Sequence, residues 1–364
     1  MSERPRYAYL DIVKFVAMVC VCLYHFPLIA PAAYENPLSA GVMVSRFFRG
    51  MNAVCVPLFM MVNGALLLNA EFDFKKHVLR TIRLFIGVYV WYVLTQVIGH
   101  LARDGAAYVA DNLTGILYSA LYLYEYDGMA LTHLWFVQML VAVYILLPLL
   151  RAALETRDVQ LRRGMWLFGG AMIVFCFLIH DFDHVKSVLP VLRYLDLSCV
   201  ETMNPVRGVY GAMIVYFILG GALHRRVRTL RSMPVWIPML LFAGGAVVLF
   251  GEWLIMTKKT GALYDIVYYG YNCLPTLTMS AGVFIFAAKI GDQIPAACAK
   301  LLRLVGRNTL AIYYTHWILG LVFLRNVQLP GSFPLNLLKA LAMVLMGAAI
   351  GEGMRRLPLL RHLV

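Results

Sequence analysis

The sequence predicts an all-α integral membrane protein, a polytopic helix bundle of about ten transmembrane helices with both termini in the cytoplasm. Hydrophobic residues make up 62% of the 364 positions and charged residues only 14%, against about 25% charged residues in a soluble domain. The apolar residues are collected in segments long enough to cross a bilayer. Lysine and arginine alternate between rich and poor connecting segments, as the positive-inside rule requires.

Ten segments qualify as membrane spans. Each needs about 20 mainly apolar residues to cross a hydrocarbon core about 30 Å thick. In chain order the predicted spans cover residues 10–31, 52–70, 80–101, 133–150, 164–180, 206–223, 234–256, 272–289, 308–325 and 335–353. The third span is the least regular, because Arg80 and Arg83 would occupy its first turn. We expect a single membrane-embedded domain over residues 1–364, with no soluble domain.

The connecting segments predict the orientation. One side of the predicted bundle holds 21 of the 32 lysines and arginines, in residues 4–6, 75–83, 151–163, 224–233, 289–307 and 355–361. This side is expected to be cytoplasmic. The segments 102–132 and 181–205 on the opposite side mix acidic and aromatic residues, and "LTGILYSALYLY" within the first has the composition of a helix lying at the membrane interface.

Two other classes of function are disfavoured by charge and cysteine usage. The net charge of +13 could indicate nucleic-acid binding, but topology accounts for basic residues on one face of a membrane protein, so no nucleic-acid partner is expected. The seven cysteines are scattered among apolar segments without a CxxC motif or clustered ligand spacing, so we interpret them as packing residues and expect no bound metal.

The first span carries three ionisable residues that a bilayer should reject, Asp11, Lys14 and His25. Lys14 and His25 are eleven residues apart, about 20° from three full helical turns and about 16 Å along the axis. They therefore share one helix face at different depths. Asp11 is close enough to form an ion pair with Lys14, and His25 has the side chain best suited to a general base near neutral pH. A hydrogen bond between helices is the alternative role for this histidine.

Arg80 and Arg83 lie one turn apart at the cytoplasmic end of the third span. Two guanidinium groups on one helix face can bind phosphate oxygens. Membrane topology alone also demands basic residues at such an end, so both interpretations stay open.

Further polar side chains recur at intramembrane positions, where they usually face a bundle interior or a wet cavity. These are Asn63, His133, Trp135, Glu252, Asn272 and His316.

The order of these motifs resembles the acyltransferase-3 family of integral membrane O-acyltransferases, which modify bacterial surface glycans and related molecules. "YLDIVKFVAMVCVCLYHF" is similar to the first-helix signature of that family, a basic residue followed after ten residues by histidine. The other similar segments are "VPLFMMVNGALLL", "LRTIR", "HLWFVQMLVAVYILLPLL" and "LVGRNTLAIYYTHWIL". Family members often have Ser where this chain has Asn63, and Arg where it has Lys14.

The resemblance implies a multi-pass enzyme of the bacterial cytoplasmic membrane. Its donor would be acetyl-CoA or another acyl-CoA, bound from the cytoplasm as a cosubstrate, with no tightly bound cofactor. Its acceptor would be a hydroxyl of an extracytoplasmic glycan or lipid-linked saccharide. His25 corresponds to the essential histidine, and Lys14, Arg80 and Arg83 correspond to conserved basic positions.

We assign the remaining residues as expectations on this scheme. Glu252 and Asn63 join His25 in the catalytic set, His316 joins the donor-binding residues, and Asp11 supports Lys14. His133, Trp135 and Asn272 are assigned to the acceptor. The identity of the acceptor stays open, since a smaller alcohol or amine is also possible. The acyl group, direct transfer as against a covalent acyl-histidine, the residue that orients His25 and the oligomeric state also stay open.

Two rival classes stay open. A proton-coupled transporter or a lipid or glycan flippase would use His25 and Glu252 as a proton relay, although the internal repeats or broken helices common in transporters are not evident. A non-catalytic scaffold would tolerate replacement of the intramembrane ionisable residues.

Overall fold

A computed structural model describes residues 6–25, 36–129, 131–189, 191–192, 194–324, 333–358 and 360–363. Within these ranges the regular secondary structure is helical, as expected. The helices are α1 (Ala8–His25), α2 (Ala40–Gly50), α3 (Cys55–Leu67), α4 (Phe74–Arg103), α5 (Ala106–Leu121), α6 (Trp135–Glu155), α7 (Val159–Ile173), α8 (Ile179–Val185), α9 (Ser198–Glu201), α10 (Val209–Arg225), α11 (Val227–Ser232), α12 (Trp236–Thr260), α13 (Ile266–Tyr269), α14 (Leu274–Ile290), α15 (Ala296–Arg307), α16 (Thr309–Leu319) and α17 (Phe333–Arg356). Short 3₁₀ and π turns join several of them.

Seven helical segments in the described part of the chain are long and apolar enough to cross a membrane. They are Ala8–His25, Ala40–Leu67, Phe74–Arg103, Trp135–Glu155, Val159–Val185, Trp236–Thr260 and Phe333–Arg356. An eighth candidate is the bent pair Ile266–Asn272 and Leu274–Ile290, and the shorter apolar helices Val209–Arg225 and Thr309–Val322 coincide with the two remaining predicted spans. The count of ten and the cytoplasmic termini therefore stay predictions. The predicted end of the first span, residues 26–31, lies outside the described residues.

Helix α1 lies in the interior of the bundle. It packs against α3, α14, α15 and α17, and Ala17, Met18 and Cys22 are fully buried. A first helix that were only an anchor would leave most of its surface to lipid. The surroundings of α1 instead give its ionisable side chains protein neighbours along the whole helix.

Helices α3 and α10 approach each other at two glycines. A Cβ atom added to Gly64 would lie 1.8 Å from the carbonyl oxygen of Phe217, and one added to Gly220 would lie 2.0 Å from the carbonyl oxygen of Met61. Small residues of this kind allow membrane helices to pack backbone against backbone. The contact fixes the depth of Asn63 beside Gly64.

The segment between α12 and α14 bends sharply. Helix α12 ends at Gly261, whose left-handed backbone (φ 67°) closes the helix end. Asp265 then caps α13 by accepting hydrogen bonds from the backbone N–H groups of Val267 and Tyr268. The axes on either side of Cys273 differ by 87°, and Pro275 opens α14 where a backbone donor is not needed. This bend brings residues 264–273 across the bundle toward the end of α1.

Candidate active site

Three histidines from separate parts of the chain meet at one point inside the bundle. His25 is the last residue of α1, His133 lies in the turn before α6, and His316 lies in α16. The ring centroids of His25 and His316 are 5.3 Å apart, those of His133 and His316 5.3 Å, and those of His25 and His133 6.4 Å. The structure therefore brings together residues that the sequence assigned separately to catalysis, donor binding and acceptor binding.

His133 and His316 are buried and His25 is half-buried, and packing holds all three rings. His133 and His316 are completely inaccessible to solvent. Trp317 stacks on His133 with ring centroids 4.7 Å apart and planes 10° from parallel, and it meets His25 edge to face at 5.2 Å. The hydroxyl of Tyr313 donates a hydrogen bond to the carbonyl oxygen of His133. These contacts hold the imidazoles in place, and His133 meets both other histidine rings edge to face.

Two of the imidazoles differ in their hydrogen bonding. Nδ1 of His316 faces the carbonyl oxygen of Tyr313. A carbonyl oxygen can only accept, so Nδ1 of His316 carries the hydrogen and a neutral ring has its lone pair on Nε2. Both ring nitrogens of His133 are buried without a hydrogen-bond partner among the described residues. A buried polar group in that state is costly, which makes the His133 ring a candidate for a catalytic or binding role.

Tyr24 anchors the carboxyl end of α1, next to His25. The hydroxyl of Tyr24 donates to Oδ2 of Asp265 at 2.8 Å. Arg49 donates to the carbonyl oxygen of Tyr24 at 3.2 Å, and its guanidinium lies 5.1 Å from the centre of the Tyr24 ring. Because Tyr24 directly precedes His25, these bonds restrict the direction in which the histidine points.

Lys14 and Asp11 lie together at the other end of α1. Nζ of Lys14 is 4.0 Å from Oδ1 of Asp11 and donates to the carbonyl oxygen of Gly306 at 3.2 Å. Asp11 also accepts from Arg6 at 2.9 Å. A Cβ on Gly306 would come within 2.2 Å of the Asp11 carboxylate, so the glycine makes room for the ion pair where α15 meets α1.

Arg80 and Arg83 lie on α4, away from the histidine cluster. Arg80 is half-buried and lines a small cleft that also contains His77 and Arg151, whereas Arg83 is exposed. Arg151 already donates to the carbonyl oxygen of Leu67 at 3.0 Å. Glu71, Asp73 and Lys76 also line the cleft, so its Lys and Arg residues outnumber its acidic residues by one.

Of the three further predicted residues, Asn63 makes packing contacts, whereas Trp135 and Asn272 both lie beside Tyr271. Asn63 donates to the carbonyl oxygen of Phe59 at 2.9 Å and accepts from the Tyr144 hydroxyl at 3.4 Å, so it is a packed polar residue. The ring of Trp135 lies 5.8 Å from that of Tyr271. Asn272 is half-buried in the turn that follows Tyr271, on the segment that also carries Asp265.

Glu252 belongs to a second polar cluster. Its Oε2 lies 3.0 Å from Nδ1 of His184, and no hydrogen bond joins it to His25 among the residues that the structure describes. His180, Asp181 and Cys273 complete the group. Sequence reasoning did not single out His180 and His184, although their spacing of four residues places both on one face of a helix and could have indicated them.

One comparison with known proteins finds a match. A family model described as an acyltransferase domain, Acyl_transf_3, matches residues 7–351, which is nearly the whole chain. No curated protein and no solved structure gives a significant match. The matched region contains every predicted site residue.

Proposed function

Because this chain belongs to the acyltransferase-3 family and is a multi-pass helical membrane protein, it is a membrane acyltransferase, and we propose its substrates and catalytic base. The proposed donor is cytoplasmic acyl-CoA, with acetyl as the acyl group. The proposed acceptor is a hydroxyl of an extracytoplasmic glycan or lipid-linked sugar. The enzyme would lie in the cytoplasmic membrane of a bacterium. The observation that supports a histidine-centred mechanism is the convergence of half-buried His25 with the buried side chains of His133 and His316.

His25 acts as the general base in this proposal. It removes the proton from the acceptor hydroxyl as the oxygen attacks the thioester carbonyl. The new C–O bond forms, the C–S bond breaks, and the imidazolium returns its proton to the sulfur of coenzyme A. A base at this position is suitable because the neighbouring rings of His316 and Trp317 restrict the access of water, which would otherwise compete with the acceptor for the acyl group.

The two neighbouring histidines support the base in different ways: His316 orients His25, and His133 stabilises the oxyanion. With its hydrogen on Nδ1, a neutral His316 presents Nε2 as an acceptor that can orient the N–H of His25. His133, whose ring nitrogens have no protein partner within the described residues, can donate a hydrogen bond to the oxyanion that develops on the thioester carbonyl. His316 thereby changes from the donor-binding residue that the sequence suggested to a positioning residue.

The donor is expected to approach along α1. Coenzyme A places its phosphates at one end and its thioester at the other. Lys14 at one end of α1 and His25 at the other are about 16 Å apart along the axis, a distance that an extended pantetheine arm can span. Arg80 and Arg83 supply further positive charge for phosphate oxygens.

The acceptor is expected on the side of the cluster where residues 264–273 cross the bundle. Trp135 lies beside Tyr271 there, and aromatic rings of this kind commonly pack against the apolar faces of sugars. Asn272 supplies an amide for a hydroxyl. Asn63 keeps a packing role in this scheme, because both ends of its amide are already bonded.

The test is acyl transfer by the full-length protein in proteoliposomes, with labelled acetyl-CoA and an envelope glycan fraction. His25→Ala is expected to reduce the rate by about 10²–10⁴-fold, the usual contribution of a general base. His362→Ala is the matched control, since His362 lies in a short turn near the carboxyl end of the chain, and it should retain the wild-type rate.

Full activity of a folded His25→Ala protein would exclude the assignment of the base. An acyl group recovered on His25 after donor is added without acceptor would instead identify a covalent acyl-histidine intermediate. If the label were recovered on another molecule and not on any envelope glycan, the protein would still be an acyltransferase, but the proposed acceptor would be wrong.

A further inference from the structure

The second polar cluster has the composition of a metal site. His180 and His184 lie one helical turn apart, with His184 in α8, Cys273 precedes α14, and Glu252 comes from α12. One ligand atom from each of His180, His184 and Cys273 lies within 4.8 Å of the other two, and the same holds for Asp181, Glu252 and Cys273. Imidazole, thiolate and carboxylate together are the ligands that Zn²⁺ prefers in proteins.

The spacing of these atoms is close to that around tetrahedral zinc. Nδ1 of His180 lies 3.6 Å from Sγ of Cys273, and Nδ1 of His184 lies 3.9 Å from the same sulfur. Zn–N bonds of about 2.0–2.1 Å and Zn–S bonds of about 2.3 Å at the tetrahedral angle place N and S about 3.6 Å apart. Both imidazoles thus approach one thiol with the same nitrogen, at the separation that a shared ion requires.

The acidic side chains of the cluster favour a bound cation. His184, Glu252 and Cys273 are each at most 4% exposed, and Asp181 adds a second carboxylate whose Oδ1 is buried without a partner among the described residues. Two carboxylates and a thiol so close together inside a membrane protein repel one another when ionised. A divalent cation offsets that repulsion and allows the thiol to ionise.

The surroundings supply an outer layer of hydrogen bonds. The second ring nitrogen of His184, Nε2, lies 3.2 Å from the hydroxyl of Tyr264, which can fix the ring orientation, as outer partners of metal-bound histidines usually do. Oδ2 of Asp181 accepts from the backbone N–H of Leu274 at 2.9 Å. Asp181 and Glu252 also line an open groove of about 650 Å³ between α8, α12 and α14.

We propose that this cluster binds one Zn²⁺ through His180, His184, Cys273 and Glu252, with Asp181 beside the ion. Four protein ligands would make a closed, structural site. The ion would join α8, α12 and the bend before α14. Because Asp265, on the same bent segment, bonds to Tyr24 next to His25, the metal would stabilise the wall of the histidine cluster. This departs from the sequence-based expectation of no metal, which considered the spacing of cysteines alone.

Metal content of the purified full-length protein in detergent tests the proposal directly. The protein is stripped with a chelator, reloaded with ZnCl₂, passed over a desalting column and measured by mass spectrometry for zinc. The wild type is expected to retain about one zinc ion per chain. Cys273→Ser and His184→Ala should each lose most of it, and Cys199→Ser, at an exposed cysteine, should retain the wild-type content.

Cobalt substitution separates ligation from a merely structural role of these residues. Co²⁺ in the wild-type protein should show the intense visible bands of a tetrahedral site and a thiolate charge-transfer band in the near ultraviolet. Cys273→Ser should lose the charge-transfer band even if it still binds some cobalt. These measurements do not depend on acyl transfer, so their failure and that of the proposed function are distinguishable.

Two results would overturn the proposal. One is a stripped and reloaded wild-type protein that retains no zinc above the level of Cys273→Ser. The other is zinc retained at the wild-type level by both Cys273→Ser and His184→Ala, which would place the ion elsewhere on the chain. In either case the cluster would be a hydrogen-bonded network neutralised by protons.

Discussion

At the scale of single residues, the environment decides what an ionisable side chain can do. Lys14 and His25 lie on the same helix, yet Lys14 is held by Asp11 and the Gly306 carbonyl, whereas His25 is surrounded by rings. The helical spacing of these residues was readable in the sequence. The identity of their neighbours on other helices was not, because those neighbours are up to about 290 positions away in the chain.

Arg80 and Arg83 provide a prediction at this scale. The double variant Arg80→Ala, Arg83→Ala is expected to weaken binding of coenzyme A by about tenfold or more, because each charge-assisted hydrogen bond to a phosphate contributes about 1.5–3 kcal/mol. Binding is measured by calorimetry on the purified protein. The effect should shrink as salt is raised, since ions screen exposed charges.

The matched control is Arg162→Ala, Arg163→Ala, two exposed arginines in α7. These arginines lie on the same predicted cytoplasmic side, and replacing both removes the same net charge as the Arg80→Ala, Arg83→Ala variant. Equal loss of affinity in both double variants would mean that the general positive field, and not a specific clamp, attracts the donor. Unchanged affinity for coenzyme A in the Arg80→Ala, Arg83→Ala variant would mean that these arginines only set the membrane orientation.

At the scale of helices, the apolar segments predicted most of the elements but not their bends. The predicted span 234–256 corresponds to a helix over Trp236–Thr260. In contrast, the apolar pattern that predicts a span over residues 272–289 does not indicate that the helix axes change direction by 87° around Cys273. Hydrophobic periodicity indicates which positions are buried, but it does not indicate a bend. At this bend the free backbone N–H groups donate to side chains such as Asp265 and Asp181.

Close packing of α3 on α10 provides the prediction at this scale. Gly64→Ala would place a methyl group 1.8 Å from the Phe217 carbonyl oxygen, so the two backbones must separate. Overpacking usually costs about 1–3 kcal/mol, and a clash with backbone belongs at the upper end. The midpoint of thermal unfolding in detergent, followed by tryptophan fluorescence, should fall by several degrees.

Gly169→Ala serves as its control. A Cβ at Gly169 in α7 would meet nothing within 4 Å, and alanine favours a helix over glycine, so the midpoint should stay the same or rise slightly. If Gly64→Ala matched this control, the close approach of α3 and α10 would not exist in solution.

At the scale of the whole molecule, the orientation of the bundle can be tested with two native cysteines. Cys199 lies in a segment predicted to face outward and Cys298 in one predicted to face the cytoplasm, and both are exposed. A membrane-impermeant maleimide applied to intact cells lacking an outer barrier should label Cys199 and leave Cys298 unmodified. Peptide mapping by mass spectrometry identifies the modified residue.

Permeabilised cells provide the reference for this labelling, because both cysteines should then react. Labelling of Cys298 alone in intact cells would invert the predicted topology and place the basic face outside. That outcome would also exclude cytoplasmic donor binding near Lys14, because donor and acceptor sides would be exchanged.

The sequence by itself determined the class of this protein. Its composition, the lengths of its apolar segments and the order of motifs such as the Lys14 and His25 pair indicate a helical membrane acyltransferase, and the family match over residues 7–351 supports that class. Local periodicity sufficed because a helix face depends only on residues a few positions apart.

Only the tertiary structure decided which polar residues act together. It joined His25 to His133 and His316, and it joined Glu252 to His184 near Cys273, in a cluster that the sequence had not suggested. These partners lie on helices far apart in the chain, and their meeting depends on how helices pack and where the segment before α14 bends. No local pattern encodes that packing, because it is the joint result of contacts made by the whole bundle.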